Sequence, residues 1–244
     1  MNPQRSKKLQ RVPADTQADY AYKKLESLFV NEQLPPGGFV SEPQLRAILK
    51  VGRTPMREAI KRLEADRLLV PFARKGFYVP PIDIREYLYV LELRLPIERY
   101  AFVTAAIRAS DAERIALEQC ISRFRRALRA KDVDAAAAAD FESKKITLQA
   151  TGNPYLGQVL RPLHTIGRRF WRHYVDPIER VALNAIQIDT LKSMYAADAD
   201  NTGRLIEQFF IKLREVSIRV LKSKEELPSE IRFEYQKRSN SKGQ

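Results

Sequence analysis

Apolar residues in the first third of the chain recur at helical spacing, and turn-forming residues separate these stretches. The pattern predicts a first helix from about Thr16 to Asn31. Its apolar stripe is expected to consist of Tyr20, Tyr22, Leu25, Leu28 and Phe29. The segment LPPGGFV must then break the helix, because its prolines remove donors and its glycines allow positive φ. A short second helix is expected after Ser41, which can cap it, and it carries Leu45, Ile48 and Leu49.

A third helix is predicted over RTPMREAIKRLEADRL. Thr54 can cap it, Pro55 suits its first position and Glu58 is placed in its first turn. Its buried side should be Met56, Ile60 and Leu63, with Arg53, Arg57, Lys61 and Arg62 left on the surface.

Two β-prone runs follow in LLVPFARKGFYVP, and they flank the basic tip Arg74, Lys75 and Gly76. Three helices and a hairpin within about 65 residues are typical of a winged helix-turn-helix. The sequence therefore predicts a DNA-binding head over residues 16–80, after a disordered basic arm at residues 1–15.

Beyond Pro80-Pro81, a stiff linker, alternation of the β type disappears and helical periodicity continues. Six helices are predicted, at about 83–108, 110–130, 132–151, 153–175, 179–197 and 199–222. Short loops between long helices favour antiparallel neighbours, hence an all-α antiparallel bundle over residues 83–222. A charged tail should occupy residues 223–244. The predicted fold class is thus mostly α, with a small β-hairpin wing.

The net charge and its distribution indicate what kind of partner the chain binds. The chain has 43 Lys and Arg against 30 Asp and Glu, a net +13, and residues 1–80 hold 15 against 8 of these. A polyanionic partner is therefore indicated, with its surface in the head. No run of 18 apolar residues or secretory segment is apparent, so we expect a cytoplasmic protein without membrane contact. The one cysteine, Cys120, is interpreted as a buried small apolar residue.

Arg53 and Arg57 lie four residues apart at the leading end of the third helix, where side chains can reach base edges and phosphates in the major groove. A solvated, charge-paired helix face is the alternative interpretation of REAIKRLEADR. The preceding helix and the basic wing favour DNA. The expected DNA contacts are Arg53, Thr54, Arg57, Arg62, Arg74, Lys75 and Gly76.

The stretch from LPPGGFVSEPQLRAILK through VGRTPMREAI to RKGFYV resembles the winged helix of the GntR family of bacterial transcription regulators. That resemblance places Arg53, Thr54 and Arg57 on DNA and Gly76 near the minor groove. Gly52 departs from the usual Ser or Thr, and Pro43 from an Arg of some members, so the operator sequence does not carry over.

The helical remainder resembles the FadR-type ligand-binding domain in its shorter, VanR-like form, through VLELRLPIERYA and AADFESKKITLQATGNPYL. Many such domains bind a divalent metal with one Asp and three His. Here the resemblance aligns those positions with Asp140, Lys144, Gln187 and Phe209. The only histidines, His164 and His173, are expected to be polar positions on a cationic helix, so no metal and no cofactor are predicted.

A bundle without metal still offers cations to a small carboxylate metabolite, if they face inward. The candidate effector-binding residues are Arg94, Asp140, Lys144, Arg168, Gln187, Tyr195 and Phe209, with Tyr155 as a further lining residue. Two alternatives stay open: Arg94 with Glu98 is a surface or interface pair, and the aromatic residues belong to the core.

These features predict a homodimeric DNA-binding regulator that binds a palindromic operator and responds to a small acid in the bundle. The expected mode of regulation is repression. A bundle that only dimerises is the alternative. An enzyme is not expected, because two histidines on one helix and no glycine-rich phosphate loop leave no catalytic constellation.

Overall fold

A computed structural model describes residues 16–225, except the side chains of residues 177–179 and 224–225. The predicted basic arm and residues 226–244 of the predicted tail lie outside the described residues. The chain divides into two compact units, one ending at Pro80 and the other beginning at Pro81. Each unit is described by itself.

Twelve elements follow one another within residues 16–225. They are α1 (Gln17–Val30), β1 (Phe39–Val40), α2 (Glu42–Leu49), α3 (Arg53–Ala65), β2 (Val70–Phe72), β3 (Gly76–Tyr78), α4 (Ile84–Arg108), α5 (Asp111–Arg129), α6 (Val133–Ala150), α7 (Leu156–Tyr174), α8 (Pro177–Tyr195) and α9 (Ala199–Glu225). The predicted fold class, a winged helix-turn-helix followed by an all-α bundle, is confirmed.

The first unit is held together by the packing of α1 on α3. Thr16 and Asp19 form a capping box at the start of α1, and the Tyr22 hydroxyl donates to Asp66 at the end of α3 over 2.6 Å. Leu25 and Phe29 are buried as predicted, and so are the predicted core residues Met56, Ile60 and Leu63. Tyr20 and Ile48 are exposed instead, because Ala18 and Ala21 occupy the inner face of α1 and Leu45 alone is buried from α2.

The start of α3 differs from its prediction. Lys50 ends α2 in the left-handed conformation, and Gly52, not Thr54, is the N-cap, without a side-chain hydrogen bond. Pro55 is consequently the third helical residue, where its missing N–H still costs nothing. Glu58 lies beyond the first turn, which carries no acidic residue.

The predicted hairpin of β2 and β3 is present, and β1, which the sequence analysis did not predict, adds a third antiparallel strand in the order β1-β3-β2. Phe39 and Val70 both pair with Tyr78. Directly opposed residues share a sheet face, as do residues two apart on a strand, so Phe72 lies on this face too. The opposite face carries Val40, which is buried.

The second unit is the predicted bundle, and its six helices begin and end within three residues of the predicted bounds. Ser110 forms a capping box, and Asp83 and Asp132 cap α4 and α6. The long helix α4 packs against α6, α7, α8 and α9. Residues 223–225 continue α9, although the sequence placed them in the tail.

Cys120 is buried in the bundle core, as predicted. Its Sγ lies 3.3 Å from the Ala139 carbonyl oxygen. Burial raises the pKa of its thiol. Within residues 16–225, no helix combines the length and apolar character needed to cross a membrane.

Candidate nucleic-acid interface and buried polar cluster

The leading end of α3 presents two exposed arginines beside one carboxylate. Glu42, in the first turn of α2, lies 3.8 Å from Nε of Arg53 and 3.6 Å from Nε of Arg57. Both arginine side chains are more than 60% exposed, so these ion pairs are weak and orient the guanidinium groups without neutralising the surface. Thr54 is exposed between them. The arrangement fits side chains that reach outward from the first turn of a helix.

Arg62, a predicted DNA contact, faces α1 instead. Its Nη1 donates to Asp19 over 2.5 Å, and Asp19 also accepts from the backbone and hydroxyl of Thr16. The hydrogen bond from Arg62, followed by those from Thr16, holds the pKa of Asp19 well below its ordinary range. Arg62 therefore ties α3 to α1, and because its side chain is still 46% exposed its contact with DNA stays a prediction.

The wing tip places two exposed cations on a strained turn. Arg74 has a φ of 65° and Gly76 a φ of 87°, and only glycine adopts such angles without penalty. A Cβ on Gly76 would also lie 2.6 Å from the carbonyl oxygen of Val40. Gly76 therefore lets β3 approach β1, while Arg74 and Lys75 remain exposed.

Three aromatic side chains form what we call the aromatic face of the wing sheet: Phe39, Phe72 and Tyr78. The Phe39 ring meets Phe72 edge-on at 5.4 Å and Tyr78 at 5.2 Å. The ammonium of Lys75 lies 5.3 Å from the Phe39 ring centroid and 5.9 Å from that of Phe72. These distances are within the range of cation–π attraction.

In the bundle, α4 and α7 bring together a buried ion pair and a histidine. Nε of Arg94 donates to Oε1 of Glu98 over 2.6 Å, and Nε2 of His164 lies 3.0 Å from the same oxygen. Burial alone would raise the pKa of Glu98, but Arg94 and then His164 outweigh it and hold that pKa below its usual range. Burial lowers the pKa of His164, so its imidazole is neutral and its Nε2–H donates a hydrogen bond to the ionised carboxylate. Arg94 and Glu98 are therefore a buried pair, and the alternative of a pair on the surface is wrong.

A second group, on α6 and α8, lies beside the first. Nζ of Lys144 donates to Asp140 over 2.9 Å, and the amide of Gln187 donates to the other carboxylate oxygen. Lys144 helps to lower the pKa values of Glu98 and His164, and Asp140 helps to raise that of Arg94, so the two groups interact electrostatically. We call the six residues the polar cluster: Arg94, Glu98, Asp140, Lys144, His164 and Gln187.

Gly167 and Tyr87 shape the wall around Arg94. A Cβ on Gly167 would lie 2.6 Å from Nη1 of Arg94 and 3.8 Å from the Tyr87 hydroxyl, so the missing side chain makes room for the guanidinium. On another side the Phe210 ring centroid lies 5.3 Å from Cζ of Arg94. The buried Tyr87 hydroxyl has no hydrogen-bond partner within the described residues, and burial raises its pKa to about 12.

The other candidate effector residues are distributed differently. Arg168 lies 4.7 Å above the Phe141 ring, next in sequence to Asp140, and donates to Thr165. Phe209 is in the apolar core, edge-on to Phe210. Tyr195 is exposed at the end of α8, where its carbonyl accepts from Arg114, and Tyr155 is exposed before α7. These two tyrosines are therefore neither core residues nor members of the polar cluster.

The polar cluster does not fit a divalent metal. Of the four aligned positions only Asp140 is a metal-ligating residue, and both its oxygens accept hydrogen bonds from cationic or amide donors. His164 points to Glu98 rather than to Asp140. Among residues 16–225, no three His, Cys, Asp or Glu side chains are placed to hold a metal ion together.

Sequence reasoning missed several residues of these sites, among them Glu42, His164 and Gly167. Glu42 follows the capping Ser41, but its ion pairs cross from one helix to the next. His164 was interpreted as a polar position on a cationic helix, although its i+3 neighbour Gly167 lies inside a helix, where glycine signals close packing. That signal was available and could have marked this part of α7 as an approach to another side chain.

Comparisons with known proteins match both units. Residues 17–79 match the family model described as bacterial regulatory proteins, gntR family, and residues 89–209 match the FCD domain. The chain is 38% identical over 84 residues to the Nta operon transcriptional regulator of Aminobacter aminovorans, covering 34% of this chain and 40% of that protein. It is 29% identical over 107 residues to the HTH-type transcriptional regulator YdhC of Bacillus subtilis (strain 168), covering 44% and 48%. The chain thus spans less than half the length of these curated relatives.

Solved structures show the same fold. McbR/YncC of E. coli superposes with a TM-score of 0.73 at 16% identity, covering 84% of this chain and 98% of that one. A transcriptional regulator, GntR, of Rhodococcus sp. RHA1 gives a TM-score of 0.63 at 15% identity with the same coverage.

Proposed function

Because the chain belongs to the GntR family of bacterial regulatory proteins and carries an FCD domain, we propose that it is a homodimeric transcriptional repressor. It binds a palindromic operator through its winged heads and leaves that operator when a small carboxylate enters the bundle. The relatives named as transcriptional regulators support a regulator rather than an enzyme.

The observation that carries DNA binding is the pair Arg53 and Arg57, exposed at the start of α3 and oriented by Glu42. An α-helix fits the major groove, and arginine can donate to both O6 and N7 of guanine. The exposed cations Arg74 and Lys75 project from the wing of the same unit. Arg57 is our choice for base contact, with Arg53 and Thr54 on the neighbouring backbone.

The test is Arg57→Ala in the full chain, measured by gel shift on a duplex that the parent enriches from a random library. A lost bidentate contact should weaken operator binding by about 1–3 kcal/mol. The matched control is Arg125→Ala on α5, which removes an exposed charge from the bundle and should leave affinity nearly unchanged. Equal losses in both variants would mean that only net charge matters, and an unchanged Arg57→Ala would contradict the assignment.

The homodimer is supported by an apolar face on α4. Tyr89, Leu93, Tyr100 and Ile107 are all exposed, and their spacing of four and seven residues follows the a and d positions of a heptad. Such a stripe is self-complementary about a two-fold axis, so a second copy of the chain is its natural occupant. Two related heads then match the two half-sites of a palindrome.

Sedimentation velocity tests this interface. Leu93→Glu places a charge on the stripe and should convert the dimer into a monomer at micromolar concentration, whereas Ile115→Glu, an equally exposed apolar position on α5, should remain dimeric. A parent that sediments as a monomer both free and on DNA would contradict the homodimer. A dimer that survives Leu93→Glu would place the interface elsewhere.

The polar cluster supports a carboxylate effector. Burying two ion pairs costs more than an apolar core of the same volume, so their presence in the bundle points to a use other than stability. Lys144 carries the positive charge that relatives obtain from a metal, and it can donate to an effector carboxylate directly. Arg168 lies over the Phe141 ring, and Phe141 precedes Lys144 by three residues on α6.

A thermal-shift panel of acetate, pyruvate, succinate and benzoate tests this part. An active acid should raise the melting temperature and release the operator in gel shifts. Lys144→Ala should abolish the release while operator binding persists, and Lys145→Ala, whose lysine is exposed beside Glu142, is the matched control. Bound zinc, nickel or manganese near stoichiometry, with a lower melting temperature after chelation, would contradict an effector site without metal.

The complete internal pairing of the cluster favours a second candidate, a bundle that only dimerises. Glu98 already neutralises Arg94, and Asp140 neutralises Lys144. In that case no acid of the panel shifts the melting temperature, and Lys144→Ala leaves regulation unchanged.

A further inference from the structure

The aromatic face of the wing sheet is not explained by the core of the first unit. Phe39 and Phe72 are each about half exposed, 47% and 51%. Two phenyl rings open to water on a short sheet are unfavourable unless something covers or uses them. What covers them in part is Lys75, whose ammonium lies over both rings.

The geometry brings the two rings to the lysine from different strands. Phe39 belongs to β1 and Phe72 to the end of β2, and Gly76 lets β3 pass close to Val40 so that the strands meet. The rings contact each other edge-on at 5.4 Å, with the edge of one against a face of the other, so each ring keeps at least one negative face for a cation. Within the described residues, no ring underlies the neighbouring Arg74.

We propose that Phe39 and Phe72 are positioning residues that hold Lys75 in place for contact with a DNA phosphate. The proposal rests on the DNA binding proposed above. A free lysine loses the rotamer freedom of a flexible four-carbon stem when it contacts phosphate. A lysine already held over two rings has lost much of that freedom before DNA arrives, so its contact contributes more to affinity.

A double-mutant cycle in the full chain tests the proposal, with gel shifts on a duplex of about 30 base pairs that the parent enriches, long enough for two half-sites. Replacing both rings by leucine, F39L with F72L, keeps the face apolar but removes the π systems. Operator binding should weaken about fivefold, the fold-change that corresponds to about 1 kcal/mol of side-chain ordering that the lysine must then lose on binding. In a Lys75→Ala background, the same two substitutions should change binding less than about twofold, because no ammonium remains to be positioned.

Two controls separate positioning from general effects. In an Arg74→Ala background the leucine substitutions should still weaken binding about fivefold, since Arg74 has no ring beneath it. Restoring aromatic character with F39Y and F72Y should restore affinity. Tyr20→Leu, at the exposed α1 tyrosine beneath Lys24, should leave affinity unchanged.

An equal loss in the Lys75→Ala and parent backgrounds would overturn the proposal, because the rings would then act on DNA or on the fold by themselves. Loss that follows a fall in melting temperature and is not rescued by tyrosine would overturn it as well. A parent that enriches no duplex would refute the proposed function itself, and the inference with it.

Discussion

Removing the guanidinium of Arg94 should leave the bundle with a buried, unpaired anion. Arg94→Met keeps an unbranched side chain of similar length in the space beside Gly167 and Phe210 but takes away the partner of Glu98. Both side chains of the pair are at most 3% exposed, so water cannot take over the role of the cation. His164 is the one remaining donor to Oε1 of Glu98 among the described residues.

The magnitude follows from this burial. Breaking a buried pair by removing one partner costs about 3–5 kcal/mol, because the other charge stays desolvated. An exposed pair would cost less than about 1 kcal/mol. Since a domain of ordinary stability has about 5–15 kcal/mol in total, Arg94→Met should remove a large share of the stability of the bundle. The double variant Arg94→Met with Glu98→Gln removes both charges and should regain most of it.

The pH dependence of the stability difference between parent and variant distinguishes a lost ion pair from a packing defect. In the parent, the pKa values of Glu98 and His164 are both depressed, so their contribution is complete at neutral pH and is lost as the pH falls. In Arg94→Met, burial without the guanidinium raises the pKa of Glu98, or the unpaired Glu98 carboxylate raises the pKa of His164. In either case the folded state takes up a proton on acidification. The difference in stability between parent and variant should therefore shrink from about pH 8 to about pH 5.

Urea unfolding measures both quantities. Trp171, the single tryptophan of the chain, lies in α7 and packs against the bundle core, so its fluorescence follows the unfolding of this unit. A loss below about 1 kcal/mol, the value of a surface pair, would refute the buried pair. A large loss that stays constant with pH, or that Glu98→Gln does not relieve, would refute the electrostatic explanation.

Three further predictions concern single positions. Gly76→Ala should destabilise the first unit by about 2–5 kcal/mol, the sum of a left-handed backbone penalty and a clash with backbone. Calorimetry should show this as a separate, earlier transition of the first unit, and an unchanged transition would contradict it. Gly167→Ala should destabilise the bundle by about 1–3 kcal/mol by displacing Arg94. Gly157→Ala should not destabilise it, because a Cβ added at that position meets nothing within 4 Å. Cys120 should resist iodoacetamide at pH 8 in folded protein and react in urea, because burial raises the pKa of its thiol; rapid labelling without urea would contradict its burial.

Much of the fold could be predicted because local signals and tertiary contacts agree. Capping serines at Ser41 and Ser110 mark helix starts where the structure has them, and the apolar periodicity of the bundle gives all six of its helices. The basic hairpin was also predictable from two β-prone runs around Gly76. At these positions one residue type satisfies the local geometry and the global packing at once.

The errors in the prediction occur where contacts between segments distant in sequence determine the local structure. The strand β1 has only two residues, and it forms because β3 offers it a partner. Thr54 has the preferred side chain of a cap, but α2 ends at the left-handed Lys50 and the cap of α3 is Gly52, two residues before Thr54. Arg62 has no sequence signal for its partner Asp19, which lies 43 residues away.

The candidate effector residues show the same limit. The ion pair of Asp140 with Lys144 could be predicted from spacing alone, because residues four apart share a helix face. It could not predict that Gln187 approaches Asp140 from α8, or that His164 approaches Glu98 from α7. Contacts between helices depend on how each helix is rotated about its axis, and the apolar pattern defines that rotation only coarsely.

The two ion pairs of the polar cluster differ in how easily an incoming carboxylate can replace the protein's own. Displacing Glu98 from Arg94 would leave an anion with 2% exposure that still accepts from His164, whereas displacing Asp140 from Lys144 would leave one with 19% exposure that still accepts from Gln187. The penalty for an unpaired charge rises steeply with burial, so exchange at Lys144 costs less. We therefore expect an effector to contact Lys144 first, with Arg94 and Glu98 acting as a fixed wall. On this reasoning Lys144→Ala separates sensing from stability, and Arg94→Met cannot.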